Sequence, residues 1–75
     1  MRYVLFREKI DSEDFGKYVS YGILLRDGKV EIKRYSDVGR SYFRVRRLCR
    51  MCNKLGVDAD QFEYVLEDFC VEETV

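Results

Sequence analysis

The chain has 75 residues, of which 47% are apolar and 37% are charged, a composition that predicts one small folded domain and excludes a disordered chain. A domain of this size leaves little room for a deep catalytic pocket. The longest aliphatic run covers only residues 23–25, which argues against a membrane span, and the apolar run after Met1 is too short for a secretion signal. Three cysteines, an odd number, then favour free thiols in the reducing cytoplasm.

The charged residues are unevenly divided along the chain. All 14 basic residues lie in residues 1–56 together with half of the 14 acidic ones, whereas residues 57–75 hold the other half and no basic residue. The net charge of zero is therefore the sum of a basic part and an equally acidic part. Such segregation favours a surface that binds an anionic partner, or two parts that neutralise each other.

Period-two alternation of apolar residues predicts three strands in the first half of the chain. These strands cover about residues 2–10, 17–26 and 29–35. The face that should point to the core carries Val4, Phe6, Ile10, Val19, Tyr21, Ile23, Leu25, Val30 and Ile32.

A tight hairpin is predicted between the second and third strands. Asp27-Gly28 suits the two central positions of a type I′ turn, both of which have positive φ. A two-residue turn at this point would place Leu25 opposite Val30.

After Tyr35 the apolar spacing becomes helical and predicts two helices, at about residues 37–55 and 59–70. Gly56 is a natural residue after the end of the first helix, and Asp58 is a natural N-cap for the second. Three residues are alternative N-caps for the first helix: Ser36, Asp37 and Ser41. The order β-β-β-α-α predicts a single α+β domain over residues 1–75, in which a three-stranded antiparallel meander is packed on one face by a C-terminal two-helix hairpin.

The cysteines form a CxxC motif, Cys49-Arg-Met-Cys52, with Cys70 as a third thiol. A redox motif of this kind normally starts a helix, where the helix dipole lowers the thiol pKa, but here it lies in the latter half of one. A zinc site needs four ligands, and the chain has no histidine. Buried structural cysteines are therefore favoured over an intersubunit metal site or a redox role. We predict no catalytic residue, no cofactor and no resident metal.

Six basic residues around the first predicted helix form a candidate surface for an anionic partner. They are Arg40, Arg44, Arg46, Arg47, Arg50 and Lys54. Arginine binds phosphate with paired hydrogen bonds and stacks on bases, and Tyr42 and Phe43 lie in the same stretch. Nucleic acid and an acidic protein are alternative partners, beside a solvated face that pairs with the acids of the second helix. The net charge of zero counts against a dedicated nucleic-acid binder.

The second sheet face is a candidate protein interface, because its predicted residues are unusually apolar and aromatic for an exposed surface. They are Tyr3, Leu5, Tyr18, Leu24 and Tyr35. A homodimer formed through this face or through an open edge strand is one prediction. The alternative is that the strands bulge and these side chains lie flat against the sheet.

Three short motifs resemble a known family. They are Tyr21-Gly22-Ile23, Val45-x-x-Leu48-x-x-x-Cys52-Asn53 and Phe62-x-x-Val65-Leu66-Glu67-Asp68-Phe69. Together they are similar to a family of short uncharacterised proteins, a domain of unknown function, from anaerobic Gram-positive bacteria. The resemblance covers roughly residues 18–70, departs from the family pattern over residues 36–44, and implies no activity, substrate or catalytic residue.

These observations predict a non-enzymatic module that acts by binding. A protein-interaction or small regulatory domain, homodimeric or with another protein partner, is the first hypothesis. A nucleic-acid-associated regulator that binds phosphates through the arginine helix is the second. An inhibitor encoded by a phage or mobile element is the third, since a small protein with segregated charge can block a charged groove. Neither a membrane nor a small-molecule substrate is indicated.

Overall fold

Three strands and two helices form the computed structural model, which describes the backbone of residues 1–74 and the side chains of residues 1–70. The elements are β1 (Arg2–Ser12), β2 (Gly16–Asp27), β3 (Val30–Gly39), α1 (Tyr42–Leu55) and α2 (Ala59–Thr74). The antiparallel sheet has the order β1-β2-β3, and α1 packs across its three strands while α2 packs against β3. The predicted α+β meander with two C-terminal helices is confirmed. Within residues 1–74 no helix is long and apolar enough to cross a membrane.

The two helices form an antiparallel hairpin joined by residues 56–58. Gly56 ends α1 in the left-handed region, with φ 64°, a conformation that glycine adopts without a Cβ clash. Asp58 begins α2, since its Oδ1 accepts the Gln61 N–H at 2.8 Å. Near the opposite ends of the helices, the Arg44 guanidinium lies 5.6 Å from the centre of the Phe69 ring. Both predicted caps around this connection are confirmed.

Helix α1 begins later than predicted, because Ser41 is its N-cap. The Ser41 hydroxyl accepts the Arg44 N–H at 3.4 Å, and the Ser41 carbonyl accepts the Val45 N–H at 3.1 Å. Residues 37–39, which the sequence pattern assigned to the helix, instead extend β3 to Gly39. Asp37 lies where the pairing of β3 with β2 shifts in register between Tyr35 and Gly39, and its φ of 53° departs from the extended backbone of the strand.

The core lies between the sheet and the helices and is centred on Phe62. The Phe62 side chain is completely buried, and its ring centre lies 4.5 Å from that of Tyr3 and 4.8 Å from that of Tyr35. The remaining buried residues of this cluster are Ile23, Leu25, Val38, Val45, Leu48, Cys49 and Cys52. The apolar stripe of α1 therefore faces the sheet as its spacing predicts, except that Leu55 at its end is exposed.

The predicted face of β1 is inverted. Tyr3 is 3% exposed and Leu5 packs against the core, so these residues point towards the helices. Val4 and Phe6, which the alternation assigned to the core, are half-buried on the opposite face of the sheet, here called the open face. Ile10 shares that face. The alternation in β1 could not distinguish the two faces, because both carry apolar residues.

The β2–β3 hairpin turns one residue later than predicted. Asp27 pairs with Val30, so the two turn residues are Gly28 and Lys29, and Gly28 alone has positive φ, as in a type II′ turn. A β-bulge follows and places Lys33, not Val30, opposite Leu25. Val30 and Ile32 are consequently 65% and 46% exposed, and the prediction that they belong to the core is wrong.

The outer edge of β1 is tied to α1 by one side chain, that of Asn53. Its Oδ1 accepts the Tyr3 N–H at 2.8 Å, and its Nδ2 donates to the Tyr3 carbonyl at 2.9 Å. The Tyr3 hydroxyl also donates to the Val57 carbonyl at 2.7 Å. An amide side chain thus takes the place of a neighbouring strand and covers the start of this edge.

Candidate functional site

The outward face of α1 carries a groove that combines four cations with two large apolar side chains. We call it the basic groove, and it is lined by Phe43, Arg46, Arg47, Arg50, Met51 and Lys54. These residues follow a helical spacing and lie opposite the buried stripe of the same helix. Phe43 is 74% exposed and Met51 is 44% exposed, so the packing of α1 on the sheet leaves both available to a partner.

The cations of the basic groove are not neutralised within the part of the chain whose side chains are described. The two salt bridges among residues 1–70 join Lys33 to Glu63 and Arg34 to Glu31, and neither involves a residue of the groove. Four positive charges therefore lie side by side on one helix with no carboxylate between them. Such an arrangement attracts anionic groups at a range set by salt screening.

The basic groove is a docking surface in shape and not a ligand pocket. Its volume of about 520 Å³ falls in the range of small-molecule pockets, but a single helix supplies all of its walls. Such a groove cannot surround a small ligand, so it suits a partner that brings an extended surface of its own.

Two of the six basic residues singled out in the sequence lie away from the groove. Arg40 precedes α1, and its guanidinium stacks 4.1 Å from the centre of the Tyr18 ring on the open face. Arg44 lies over the Phe69 ring in the cleft between the helices. The structure thus brings together Arg46, Arg47, Arg50 and Lys54 in the groove. Arg40 lies apart from them, and Arg44 lies outside the groove but lines the cleft between the helices together with Arg47.

The acidic residues of α2 do not cover the basic groove within residues 1–70. Glu63 pairs with Lys33 of β3, on the sheet side of the molecule. Asp60 and Glu67 line a separate shallow depression on the outward face of α2. Masking of the arginines by these three carboxylates, one of the alternatives left open by the sequence, does not occur.

The predicted interface on the second sheet face does not form as a unit. Tyr3, Leu5 and Tyr35 lie on the helix side, where Tyr3 is buried and the other two pack against the core. Only Tyr18 and Leu24 of that set belong to the open face. The correction follows from the inverted face of β1 and from the bulges that displace β3 relative to β2.

A polar network that the sequence analysis missed lies on the open face, where β3 bulges. Asp37 accepts hydrogen bonds from the buried Ser20 hydroxyl and from the Tyr18 hydroxyl, the latter at 2.8 Å, and its own N–H donates to Glu8 Oε2 at 2.8 Å. The hydrogen bond to Asp37 raises the pKa of Tyr18 above its usual range. Because the donors around Asp37 already come from the protein itself, the network stabilises the bulge. The positive φ of Asp37 has no sequence signal beyond the tolerance of aspartate for this region.

The CxxC thiols are buried side chains of the core. Cys49 is 5% exposed and Cys52 is completely buried, whereas Cys70 is exposed, and none of the three is in a disulfide. Burial, followed by the effect of neighbouring Cys52, raises the pKa of Cys49 to about 12, and burial raises that of Cys52. Raised thiol pKa values make both sulfurs poor nucleophiles at neutral pH. In the described side chains, no three His, Cys, Asp or Glu residues are grouped so that they could hold a metal ion.

The protein is expected to lose stability at alkaline pH. Burial raises the pKa of Cys49 from 9.0, and that of Tyr3 from 10.0, in both cases to about 12. A raised folded-state pKa means that the stabilisation is complete below the ordinary pKa and is lost as the pH rises through the folded-state value. We therefore expect the free energy of unfolding, measured with urea under reducing conditions, to fall between pH 9 and pH 12.

Cys49→Ala tests the origin of this loss, because alanine does not ionise. The variant should show a smaller decrease over the same pH interval than the original protein. An identical pH profile for Cys49→Ala and the original protein would contradict the assignment to the buried thiol.

Comparisons with protein-family models, with curated proteins and with solved structures found no match to this chain. The resemblance of the three sequence motifs to a family of short proteins therefore stays a hypothesis. Two of these motifs have structural explanations, since Gly22 accommodates Phe6 in the adjacent strand and Asn53 binds the β1 edge.

Proposed function

We propose that this protein is a non-enzymatic, cytoplasmic binding module whose basic groove binds an acidic surface of a protein. One observation carries this proposal: four cations without a salt-bridge partner among residues 1–70 surround the exposed side chains of Phe43 and Met51. Arginine, aromatic residues and methionine are the types enriched in protein interfaces. An apolar anchor with a charged surround is the usual composition of an energetically important contact.

A protein partner is favoured over nucleic acid by the rest of the chain. The net charge is zero, and α2 presents Asp60, Glu63 and Glu67 on the same side of the sheet as the basic groove. A long polyanion would meet these carboxylates as well as the arginines, and the repulsion would offset part of its attraction. An acidic protein partner can instead carry its carboxylates only where it contacts the basic groove, and it then avoids this repulsion.

Nucleic acid is the second candidate, and a specific feature favours it. Three arginines in the groove are able to bind phosphates, while Phe43 could stack on a base. The two candidates differ in salt dependence, since phosphate binding releases condensed counterions and weakens steeply as salt rises.

Fluorescence anisotropy with two labelled probes tests the proposal. The probes are a helix-forming peptide of glutamate and leucine and a single-stranded RNA. We expect the peptide to bind, and Arg46→Glu with Arg50→Glu to weaken its binding by about tenfold or more, because two attractive contacts become repulsive. Lys17→Glu with Lys29→Glu is the matched control, since both lysines are exposed outside the helices and the net charge changes equally.

Two results would overturn the proposal. Equal weakening by the groove variant and the control would mean that only net charge matters. Tighter binding of the RNA than of the peptide, with a steep salt dependence that the groove variant abolishes, would assign the groove to nucleic acid.

A further inference from the structure

The outward face of α2 carries an acidic counterpart of the basic groove. We call it the acidic face, and it is lined by Asp60, Glu63, Tyr64 and Glu67. Tyr64 lies at the centre of this face and is 73% exposed. Like the basic groove, the acidic face therefore combines charged residues of one sign with a large aromatic side chain. The buried face of the same helix carries Phe62, which fixes the acidic face in an outward orientation.

The two faces share the same helical spacing. Phe43, Arg46, Arg47 and Arg50 occupy positions i, i+3, i+4 and i+7 on α1, and the four residues of the acidic face occupy the same positions on α2. Residues with this spacing form one stripe on a helix. One stripe is aromatic and basic and the other is aromatic and acidic, so they are equal in length and carry charges of opposite sign.

The stripes do not meet within one molecule. Each lies mainly on the side of its helix that faces away from the sheet, although Glu63 at the edge of the acidic face pairs with Lys33 of β3. The cleft between the helices is lined by Leu48, Phe69 and two residues of the basic groove, Arg47 and Met51, but by no residue of the acidic face. Among the described side chains, no salt bridge joins the basic groove to the acidic face. Their complementarity can therefore be satisfied only between molecules.

We propose that the partner of the basic groove is the acidic face of a second copy of this chain. This inference rests on the proposed function of the groove and names its partner. Because α1 and α2 are neighbours in an antiparallel hairpin, a two-fold axis can place α1 of each copy on α2 of the other. Both grooves and both acidic faces are then used in one closed dimer, with Phe43 and Tyr64 as its apolar anchors.

Sedimentation equilibrium of two charge-reversed variants, alone and mixed, tests this dimer. The first variant carries Arg46→Glu and Arg50→Glu, and the second carries Asp60→Lys and Glu67→Lys. Each variant alone should be monomeric at concentrations where the original protein is dimeric, because both helix stripes then carry the same sign. An equimolar mixture should form a heterodimer, since each pairing across the two-fold axis is again between opposite charges.

The controls separate this inference from the proposed function and from misfolding. Tyr64→Ala changes no charge and should weaken dimerisation by about tenfold, which covers the case in which the lysine variant fails to fold. Lys17→Glu with Lys29→Glu should leave the dimer unchanged. A monomeric original protein at low salt would overturn the second-copy proposal even if the acidic peptide still binds the groove. A mixture that remains monomeric, from two folded variants, would overturn it as well.

Discussion

Phe62→Ala is expected to lower the free energy of unfolding by about 3–5 kcal/mol, the usual cost of removing a buried phenylalanine. Phe62 is completely buried and lies between the rings of Tyr3 and Tyr35. It is the one fully buried side chain of α2 among the described residues, so the cavity would lie at the junction of α2, β1 and β3. A chain of 75 residues has a total stability of about 4–11 kcal/mol, so this variant should lose a large fraction of the free energy of unfolding.

Urea unfolding followed by circular dichroism measures the loss. Phe15→Ala is the matched control, because the Phe15 side chain is 73% exposed, and we expect its effect to stay within about 0.5 kcal/mol. A Phe62→Ala variant as stable as this control would mean that Phe62 does not hold the helices on the sheet.

Gly22→Ala is expected to destabilise the protein by about 1–3 kcal/mol through overpacking. A methyl group at this position would lie 2.4 Å from Phe6 Cζ and 2.5 Å from the Tyr35 carbonyl oxygen. Gly22 pairs with Phe6 across β1 and β2, and the Phe6 ring in turn lies under the Arg34 guanidinium, 4.9 Å from the ring centre. The ring covers the glycine, so the new methyl group must displace the ring and the backbone of β3.

A double-mutant cycle separates these two clashes. In a Phe6→Ala background the clash with the ring is gone, and the added cost of Gly22→Ala should fall. It should not vanish, because the Tyr35 carbonyl belongs to the backbone and cannot rotate away. The same cost in both backgrounds would contradict the role of the Phe6 ring.

Structural features that depend on residues close together in the sequence could be predicted. Gly56 and Asp58 set the helix connection, because cap chemistry involves residues within one turn. The basic groove was partly predictable for the same reason, since helical spacing alone places Arg46, Arg47 and Arg50 opposite the apolar stripe. Arg40 was misassigned because the start of α1 depends on which of three plausible N-caps the fold uses.

Structural features that depend on contacts between residues far apart in the sequence could not be predicted. Tyr3 and Val4 begin two sets of alternating residues in β1 that both carry apolar side chains, and the docking of α2 through Phe62 decides which set is buried. In β3, Ile32 became exposed because a bulge inserted one residue after the turn. Bulges leave little trace in a single sequence, and each one moves every later side chain to a new register.

Because Asn53 of α1 accepts the Tyr3 N–H of β1, hydrogen exchange at this one amide reports whether α1 is packed on the sheet. The Tyr3 amide proton is bound by a side chain of α1 and not by a strand, so the hairpins alone cannot protect it from exchange with solvent. The Leu5 amide farther along the same edge has no such attachment to Asn53. Exchange at Tyr3 therefore measures how often α1 leaves the sheet, independently of whether the sheet itself stays formed.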